Sequence, residues 1–286
     1  MARVTIAMPV WNCEKTLALA MNSIVRQSFE DWELLVIDDG STDRTARIAK
    51  SYDDRRIRVF ADGERRGLIG RLNEAIDLSK SGYFARMDGD DIAYPDRLSA
   101  QLAYMKSHPC VDLLGTGILV FGEEGALIGK RQPPTNHAEI CSRPSSGFHM
   151  VHPTYFGKLE WFREFGYRAG AIRCEDQDLL LRSYRHSTFA NLGNVHLGYR
   201  EENLVLSKII KARWYFAASQ VRYALEKGEF LQMVAAPTLQ AAKSIVDCAA
   251  VGSGIGYRLL RHRARSFESG EVARWWMVYN MVTKDI

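Results

Sequence analysis

The sequence predicts an α/β fold: a mostly parallel sheet covered by helices, followed by a helical C-terminal extension. Three observations carry this expectation. Short apolar runs alternate with helical patterns over the first 120 residues. The connections between them are short, which implies right-handed crossovers and parallel strand neighbours. Beyond about residue 205 the alternation stops and helical periodicity alone remains. The expected division is therefore a sheet domain over residues 1–205 and a helical extension over 206–286. A chain of 286 residues, 47% apolar and 25% charged, is long enough for both.

The elements follow in order. Val4–Met8 is a strand. Leu17, Met21, Ile24 and Val25 fall at i, i+4, i+7 and i+8, which marks a helix face. Leu34–Ile37 is a continuous buried-strand run that ends in Asp38-Asp39-Gly40. Ser41 follows as an N-cap, with Asp43 in the first turn where the helix dipole favours an anion. Ile57–Phe60 is the third strand, and Leu68, Leu72, Ala75 and Ile76 repeat the helix face. Tyr83–Met87 is the fourth strand, ending at Asp88; Pro95 opens a helix, and Val111–Phe121 is strand-like. Residues 122–150 are rich in glycine and proline and suit a flexible cover. A helix follows Cys174, and a later one carries the stripe Ile210, Trp214, Ala217, Val221 and Leu225.

Composition excludes several classes. Residues 1–200 carry 26 basic and 26 acidic side chains, so the sheet domain has no excess charge with which to grip nucleic acid. The net charge of +4 arises wholly in residues 201–286, with 12 basic and 8 acidic side chains. Cys13, Cys110, Cys141, Cys174 and Cys248 are odd in number and form no C-x-x-C pair, as expected of reduced thiols in a cytoplasmic protein. Met1 runs straight into a strand, so no signal peptide is expected, and no run of 18 uncharged apolar residues predicts a membrane span.

Parallel sheets bind ligands at the carboxyl ends of their strands, and the acidic clusters of this chain lie at those ends. Met87-Asp88-Gly89-Asp90-Asp91 packs three carboxylates into four positions after a strand. Such a group repels itself unless a cation is present, and hard oxygen ligands suit Mg²⁺ or Mn²⁺ completed by diphosphate oxygens. The alternative is an acidic turn in which Asp91 or Asp96 caps the next helix. Asp38-Asp39-Gly40-Ser41-Thr42-Asp43 is a second acidic strand end. A carboxylate there can accept the imide N–H of uracil, or it can belong to a capped helix start. Trp11, in Pro9-Val10-Trp11-Asn12, either stacks on a base beside the same crevice or is a core side chain.

Taken together, Met8-Pro9-Val10-Trp11-Asn12, Asp38–Asp43, Gly67-Leu68 with Asn73, Arg86–Asp91 and Glu175-Asp176 resemble the family 2 glycosyltransferases. Their order and spacing match over roughly residues 3–205. The resemblance implies a GT-A fold, a Rossmann-like sheet, and an inverting transfer of a sugar from a nucleoside diphosphate, UDP above all, to an acceptor hydroxyl. It implies that Pro9, Val10, Trp11 and Asp39 contact the nucleoside. Asp88 and Asp90 correspond to the D-x-D motif and its divalent metal, Mn²⁺ or Mg²⁺, with Asp90 as the direct ligand. Asp176 corresponds to the catalytic base, and His152-Pro153-Thr154 resembles a segment near the sugar. The implied setting is bacterial surface polysaccharide synthesis, with a glycan or lipid-linked acceptor.

Two departures stand out. The Q-x-x-R-W motif of processive synthases is absent, so one sugar per encounter is expected. Tyr199-Arg200 is followed by Glu201-Glu202-Asn203 where many relatives have a histidine, which leaves His196 or Glu202 as candidate third metal ligands. The rival readings are a catalytically silent nucleotide-sugar-binding protein and a sugar-phosphate nucleotidyltransferase; the latter wants a Gly-rich, Arg-containing loop after the first strand, and Pro9–Asn12 is not one. In the tail, Arg258, Arg261, Arg263 and Arg265 lie beside Ile255, Leu259 and Leu260, and Trp275–Tyr279 add aromatic residues. This pattern predicts either peripheral contact with the inner face of the cell membrane or packing onto the catalytic domain or a second subunit of a homo-oligomer.

Overall fold

The structure, a computed structural model, describes residues 2–201, 206–252 and 267–284. Its first half follows the predicted order: β1 (Val4–Val10), α1 (Leu17–Val25), β2 (Trp32–Asp38), α2 (Thr45–Lys50), β3 (Ile57–Phe60), α3 (Gly67–Leu78) and β4 (Tyr83–Arg86). β1 pairs in parallel with β2 and β4, and β2 with β3, giving the order β3-β2-β1-β4. The chain thus runs outward from β1 in one direction and then crosses to its other side. A crevice at the carboxyl ends of β1 and β4 follows from that reversal.

Alternation explains why these strands are buried on both faces. Ile6, Met8 and Val10 of β1, with Leu34 and Val36 of β2, point into one core layer with Leu17, Met21 and Ile24 of α1. Ala7, Leu35 and Ile37 point into the other, with Leu72, Ala75 and Ile76 of α3. Each large apolar side chain removed from water in this way contributes about 1.5–3 kcal/mol.

The second half mixes strand directions: β5 (Ile92–Ala93), α4 (Arg97–Ser107), β6 (Leu113–Phe121), β7 (Leu127–Arg131), α5 (His137–Ile140), β8 (Phe156–Lys158), α6 (Leu159–Phe165), α7 (Glu175–Ser183) and β9 (Phe189–Arg200). β8 inserts antiparallel between β4 and β6, while β9 lies parallel to β6 over nine register pairs. Residues 122–150 are more ordered than a flexible cover, because β7 returns antiparallel along β6 and α5 follows. The helical extension consists of α8 (Leu206–Lys227), α9 (Phe230–Gly252) and α10 (Ser269–Thr283).

The burial of this extension departs from its apolar pattern in two places. The stripe from Ile210 to Leu225 is buried only in part: Trp214 is 75% and Leu225 56% exposed, whereas its Ala217 is buried together with Phe216, Tyr223 and Ala224. The inward face carries polar Ser219 and Gln220, whose hydroxyl and Nε2 donate to Asp178 and to the Ser145 carbonyl. The aromatic group of α10 divides between core and surface: Trp276 is 39% and Met277 71% exposed, whereas Trp275 and Val278 are buried. Trp275 is fully buried against Phe121 and Tyr94, and its indole N–H donates to the Gly125 carbonyl at 2.8 Å. Gly198 on β9 makes this possible, since a Cβ there would lie 2.4 Å from the Trp275 ring. Of the two packing alternatives, the structure shows Trp275, Val278 and Tyr279 on the catalytic sheet. The arginine cluster from Arg258 to Arg265 lies outside the described residues.

α10 is pinned at several points. A capping box joins Glu268 and Glu271, and Glu271 accepts from the buried Lys130 at 2.8 Å. Arg274 donates to both oxygens of Asp96 at 2.7 Å, and Asn22 of α1 donates to the Val282 carbonyl. Among the described residues no helix is long and apolar enough to cross a membrane, and all five cysteines are free thiols.

Trp275→Ala should therefore lower unfolding free energy by about 3–5 kcal/mol, the range for emptying a large buried aromatic site. A urea titration reads this directly, and a loss under about 1 kcal/mol would show that α10 lies outside the cooperative unit.

Candidate active site

The carboxyl ends of β1 and β2 are knitted together by local hydrogen bonds. Asp39 donates its N–H to the Val10 carbonyl at 2.8 Å. Asn12, in a left-handed conformation at φ 51°, accepts from the Thr42 N–H and donates its own N–H to the Ser41 hydroxyl, both at 2.9 Å. Ser41 is thereby engaged with the β1 loop and does not cap α2, which starts four residues later at Thr45. Asp43 takes over instead, accepting from the Thr45 N–H at 2.9 Å. The expected N-cap is thus corrected: tertiary bonding to Asn12 outcompetes the local cap.

Asp39 is buried, and its carboxylate organises the start of α3. Oδ1 accepts from the N–H groups of Arg66 and Gly67 at 2.7 and 3.0 Å and from Arg71 Nε at 3.1 Å. Oδ2 accepts a single weaker bond from Gly67 at 3.1 Å, which leaves acceptor capacity on that oxygen. Asp39 lines a cavity of about 820 Å³ bounded by Pro9–Trp11, the first turn of α3, Arg173 and Glu175, and by Lys208, Ile209 and Ala212 of α8. Trp11 is 45% exposed on this cavity, with the Arg65 guanidinium 3.9 Å from its ring centre. It is not a core tryptophan, and an aromatic face beside a cation is a stacking platform.

At the end of β4 the carboxylates of Asp88, Asp90 and Asp91 converge, with one oxygen of each lying within 4.8 Å of the others. Gly89 is what closes this loop onto β1, because a Cβ there would come within 2.7 Å of Val10 Cγ1. Asp91 is fully buried; Oδ1 accepts from the Arg200 N–H at 2.9 Å, while Oδ2 has no hydrogen-bond partner. Burial and the neighbouring Asp88 carboxylate push Asp90 up to about 6 and raise Asp91 as well. Crowded, half-satisfied oxygens of this kind fit a hard divalent cation. Neither turn residue caps α4: the position before the helix is Asp96, whose side chain makes no cap bond.

Asp176 sits in the first turn of α7, beside Glu175. Its Oδ2 accepts from Gln177 Nε2 at 3.1 Å, and burial raises its pKa. Glu175 is pushed up to about 7, by burial first and by Asp176 second. Arg86 connects the two acidic groups. It is 3% exposed, donates to Asp88, and leaves Nε and Nη1 without partners. Burial opposes its charge, but Asp88, Asp91 and Glu175 outweigh that, so its pKa rises.

Two histidine candidates are held by other side chains. His152 is buried against Tyr155 and hydrogen-bonded to the Tyr167 hydroxyl at 2.9 Å, and burial keeps it neutral. His196 faces Asp96 at 3.3 Å and is not among the clustered carboxylates. Arg200, four residues further along β9, is the residue that reaches this loop: its N–H donates to Asp91 and its Nε to the Asp90 carbonyl. Glu202 lies outside the described residues. Sequence reasoning missed the part of Arg86, although a lone cation in an otherwise apolar strand was a legible signal. It also missed Arg71, which is 1% exposed and anchors Asp39, Asp62 and Glu74.

Fold and site together define an α/β sheet protein with an acidic ligand crevice at its topological switch point. The chain belongs to glycosyl transferase family 2, whose profile matches residues 5–169. EpsE of Bacillus subtilis is 36% identical over 188 residues, covering 64% of this chain and 66% of that protein. The O-antigen biosynthesis glycosyltransferase WbnJ of Escherichia coli is 31% identical over 231 residues, covering 78% and 89%. TarS 1–349 of S. aureus, solved in complex with UDP-GlcNAc, shares the fold at a TM-score of 0.63 and 16% identity, over 99% of this chain and 82% of that one.

The raised Glu175 has a consequence for stability. A carboxyl that binds its proton more tightly when folded favours the folded state at low pH, and that contribution is lost as pH rises through about 4.5 to about 7. Glu175→Gln should therefore melt a few degrees above the unsubstituted protein at about pH 8 and lose that margin near about pH 4. Thermal melts across this range check it, and a margin that grows on acidification would contradict the burial of Glu175.

Proposed function

We propose that this glycosyltransferase is an inverting, metal-dependent enzyme that moves a sugar from a UDP-linked donor to an acceptor hydroxyl in surface polysaccharide synthesis. One observation carries the reading: a nucleotide-sized cavity is lined by Asp39, Val10 and Glu175, the Asp88–Asp91 loop is closed onto Val10 at Gly89, and buried Arg86 feels the charge of both Asp88 and Glu175. The TarS fragment solved with UDP-GlcNAc and the role of WbnJ in O-antigen biosynthesis support the donor and the setting.

In this reading Asp39 Oδ2 accepts the imide N–H of uracil, Trp11 stacks on the base, and the backbone of Pro9 and Val10 lines the nucleoside. Asp88 and Asp90 hold a Mn²⁺ or Mg²⁺ ion, and Asp91 braces their loop through Arg200. Once bound, such an ion neutralises charge on the leaving diphosphate. Asp176 takes the proton of the acceptor hydroxyl, whose oxygen forms its bond to C1 as the C1–diphosphate bond breaks on the opposite face. Partial desolvation suits Asp176 to this task, because a raised pKa makes a carboxylate a stronger base. Lys208 and Arg173 on the cavity wall supply further positive charge toward the diphosphate.

Asp176→Asn should keep UDP affinity and lose transfer by roughly 10²-fold or more. Equal losses of affinity and rate would mark Asp176 as a binding or folding residue. Asp90→Asn should lose most activity and weaken nucleotide binding in Mn²⁺, since an amide ligates a divalent cation poorly; full turnover in excess EDTA would sink this assignment. Calorimetric titration should also find UDP tighter than ADP, and the reverse order would exclude Asp39 as a uracil acceptor.

A further inference from the structure

Helix α9 turns one face to α8 and the loop before β8 and leaves the opposite face in water. The inward face is set by Ala236 and Gln240, both buried, with Gln240 Nε2 donating to the Ser145 carbonyl at 3.0 Å. The charged residues of the helix, Lys243 and Asp247, are engaged on that side too. Lys243 Nζ donates to the Ser146 carbonyl at 2.9 Å, and Asp247 pairs with Arg213 of α8 at 2.6 Å. The outward face recurs at three- and four-residue steps: Leu231, Val234-Ala235, Thr238, Ala241-Ala242 and Ile245. All of these side chains are exposed, Leu231 by 90%, Val234 by 71% and Ile245 by 70%. We propose that this face pairs, antiparallel, with the same face of a second copy of this chain.

The order of side-chain sizes decides the occupant. From Thr238 the face runs through small residues in both directions and ends in a large one each way, Leu231 on one side and Ile245 on the other. A face that reads nearly the same in both directions is what a two-fold interface requires, because each residue must suit the one at the corresponding step of the partner. In an antiparallel pair centred on Thr238, that residue meets the partner's Thr238, and Leu231 meets the partner's Ile245. The Val234-Ala235 step then meets the partner's Ala241 and the partner's Ala242. Crossing helices are closest at the centre and diverge toward their ends. Alanines at the centre permit the approach, and the larger Leu231 and Ile245 fill the widening gap. The single polar side chain on the face is already provided for: Thr238 Oγ1 donates to the Val234 carbonyl at 2.8 Å, so covering it strands no donor.

Charge argues against other occupants. A helix that lies on an anionic lipid surface carries cations beside its apolar face, whereas the lysine of α9 is held at Ser146. The alanines at the centre would also gain little by insertion into lipid, since they have little apolar area to bury. A charged protein partner would find no opposite charge on the stripe. From Leu231 to Ile245 the face is about 21 Å long. One helix from each protomer makes a contact in the small, transient class, below about 1,200 Å² in total, so the pair is a dissociable dimer. No residue of α9 lines the donor cavity, which takes its helical wall from Lys208, Ile209 and Ala212 of α8. Pairing through α9 therefore leaves the donor site open, and the proposal stands independently of the donor and base assignments.

The test uses the full chain. Sedimentation equilibrium over a range of about 1–200 µM should show a monomer–dimer equilibrium that shifts with concentration. Thr238→Glu places two like charges on the two-fold axis, at an exposed helix position where glutamate is well tolerated. It should weaken association at least about tenfold and leave UDP affinity and the melting temperature of the dilute protein unchanged. Ala241→Glu, one turn away, should do the same. Orientation is read by cross-linking in a background carrying Cys110→Ser and Cys248→Ser, which removes the exposed thiols. There, Leu231→Cys and Ile245→Cys proteins should form an interchain disulfide when mixed and neither when alone. A single monomeric species over the whole range, or a dimer that survives both glutamate variants, overturns the proposal. Self-linking of either cysteine variant overturns the antiparallel arrangement. Flotation with phosphatidylcholine vesicles, with and without phosphatidylglycerol, covers the remaining case: a monomer that binds vesicles and loses them with Thr238→Glu assigns the face to lipid and overturns the pairing.

Discussion

The interaction on which the site depends is the burial of the Arg86 guanidinium among carboxylates. Asp88 accepts from it, and Asp91 and Glu175 act on it through space. Isolating such a charge from water carries a penalty of several kcal/mol, and the three clustered aspartates would repel one another without it. Each half of the arrangement makes the other tolerable. The backbone around Arg86 is held with equal care: its N–H donates to the Tyr155 carbonyl, and its carbonyl accepts from buried Arg97, which also bonds Pro153. The end of β4 is thus tied to the turn preceding β8, so the acidic loop projects from a rigid edge.

That rigidity is purchased by long-range packing. β8, drawn from residues 156–158, is the strand that lies beside β4 and completes its pairing. β9 supplies Arg200, whose backbone N–H satisfies Asp91 and whose side chain bonds the Asp90 carbonyl. α10 then closes over β5, β6 and β9 with Trp275 at its centre, so the end of the chain supports the sheet edge that holds the acidic loop. α8 and α9 serve a different end. They pack Phe216 and Tyr223 into the core, leave other large apolar side chains in water and frame two cavities.

Much of this was legible in the sequence. The boundaries of β3 and the faces of α1 and α3 follow from periodicity, and the acidic strand ends were correctly placed at the carboxyl edge of the sheet. The open question over Trp11 was not, since an aromatic residue after a strand fits a core and a cleft equally well. Ser41 shows the same limit: its spacing suits an N-cap, yet Asn12 from another loop claims its hydroxyl. His196 has the chemistry of a ligand, but its ring faces Asp96 and not the clustered carboxylates.

The sequence by itself determined the parallel half of the sheet, the acidic clusters at its edge and the helical character of the extension. These are local properties, written in the period of apolar residues and in short motifs. Tertiary structure alone decided that β8 enters antiparallel beside β4, that Trp275 is core while Trp214 is surface, and that Arg86 joins two motifs far apart in the chain. The reason is physical: a local pattern records which side chains prefer to leave water, but which surface covers them depends on contacts between segments that the pattern of neither segment contains.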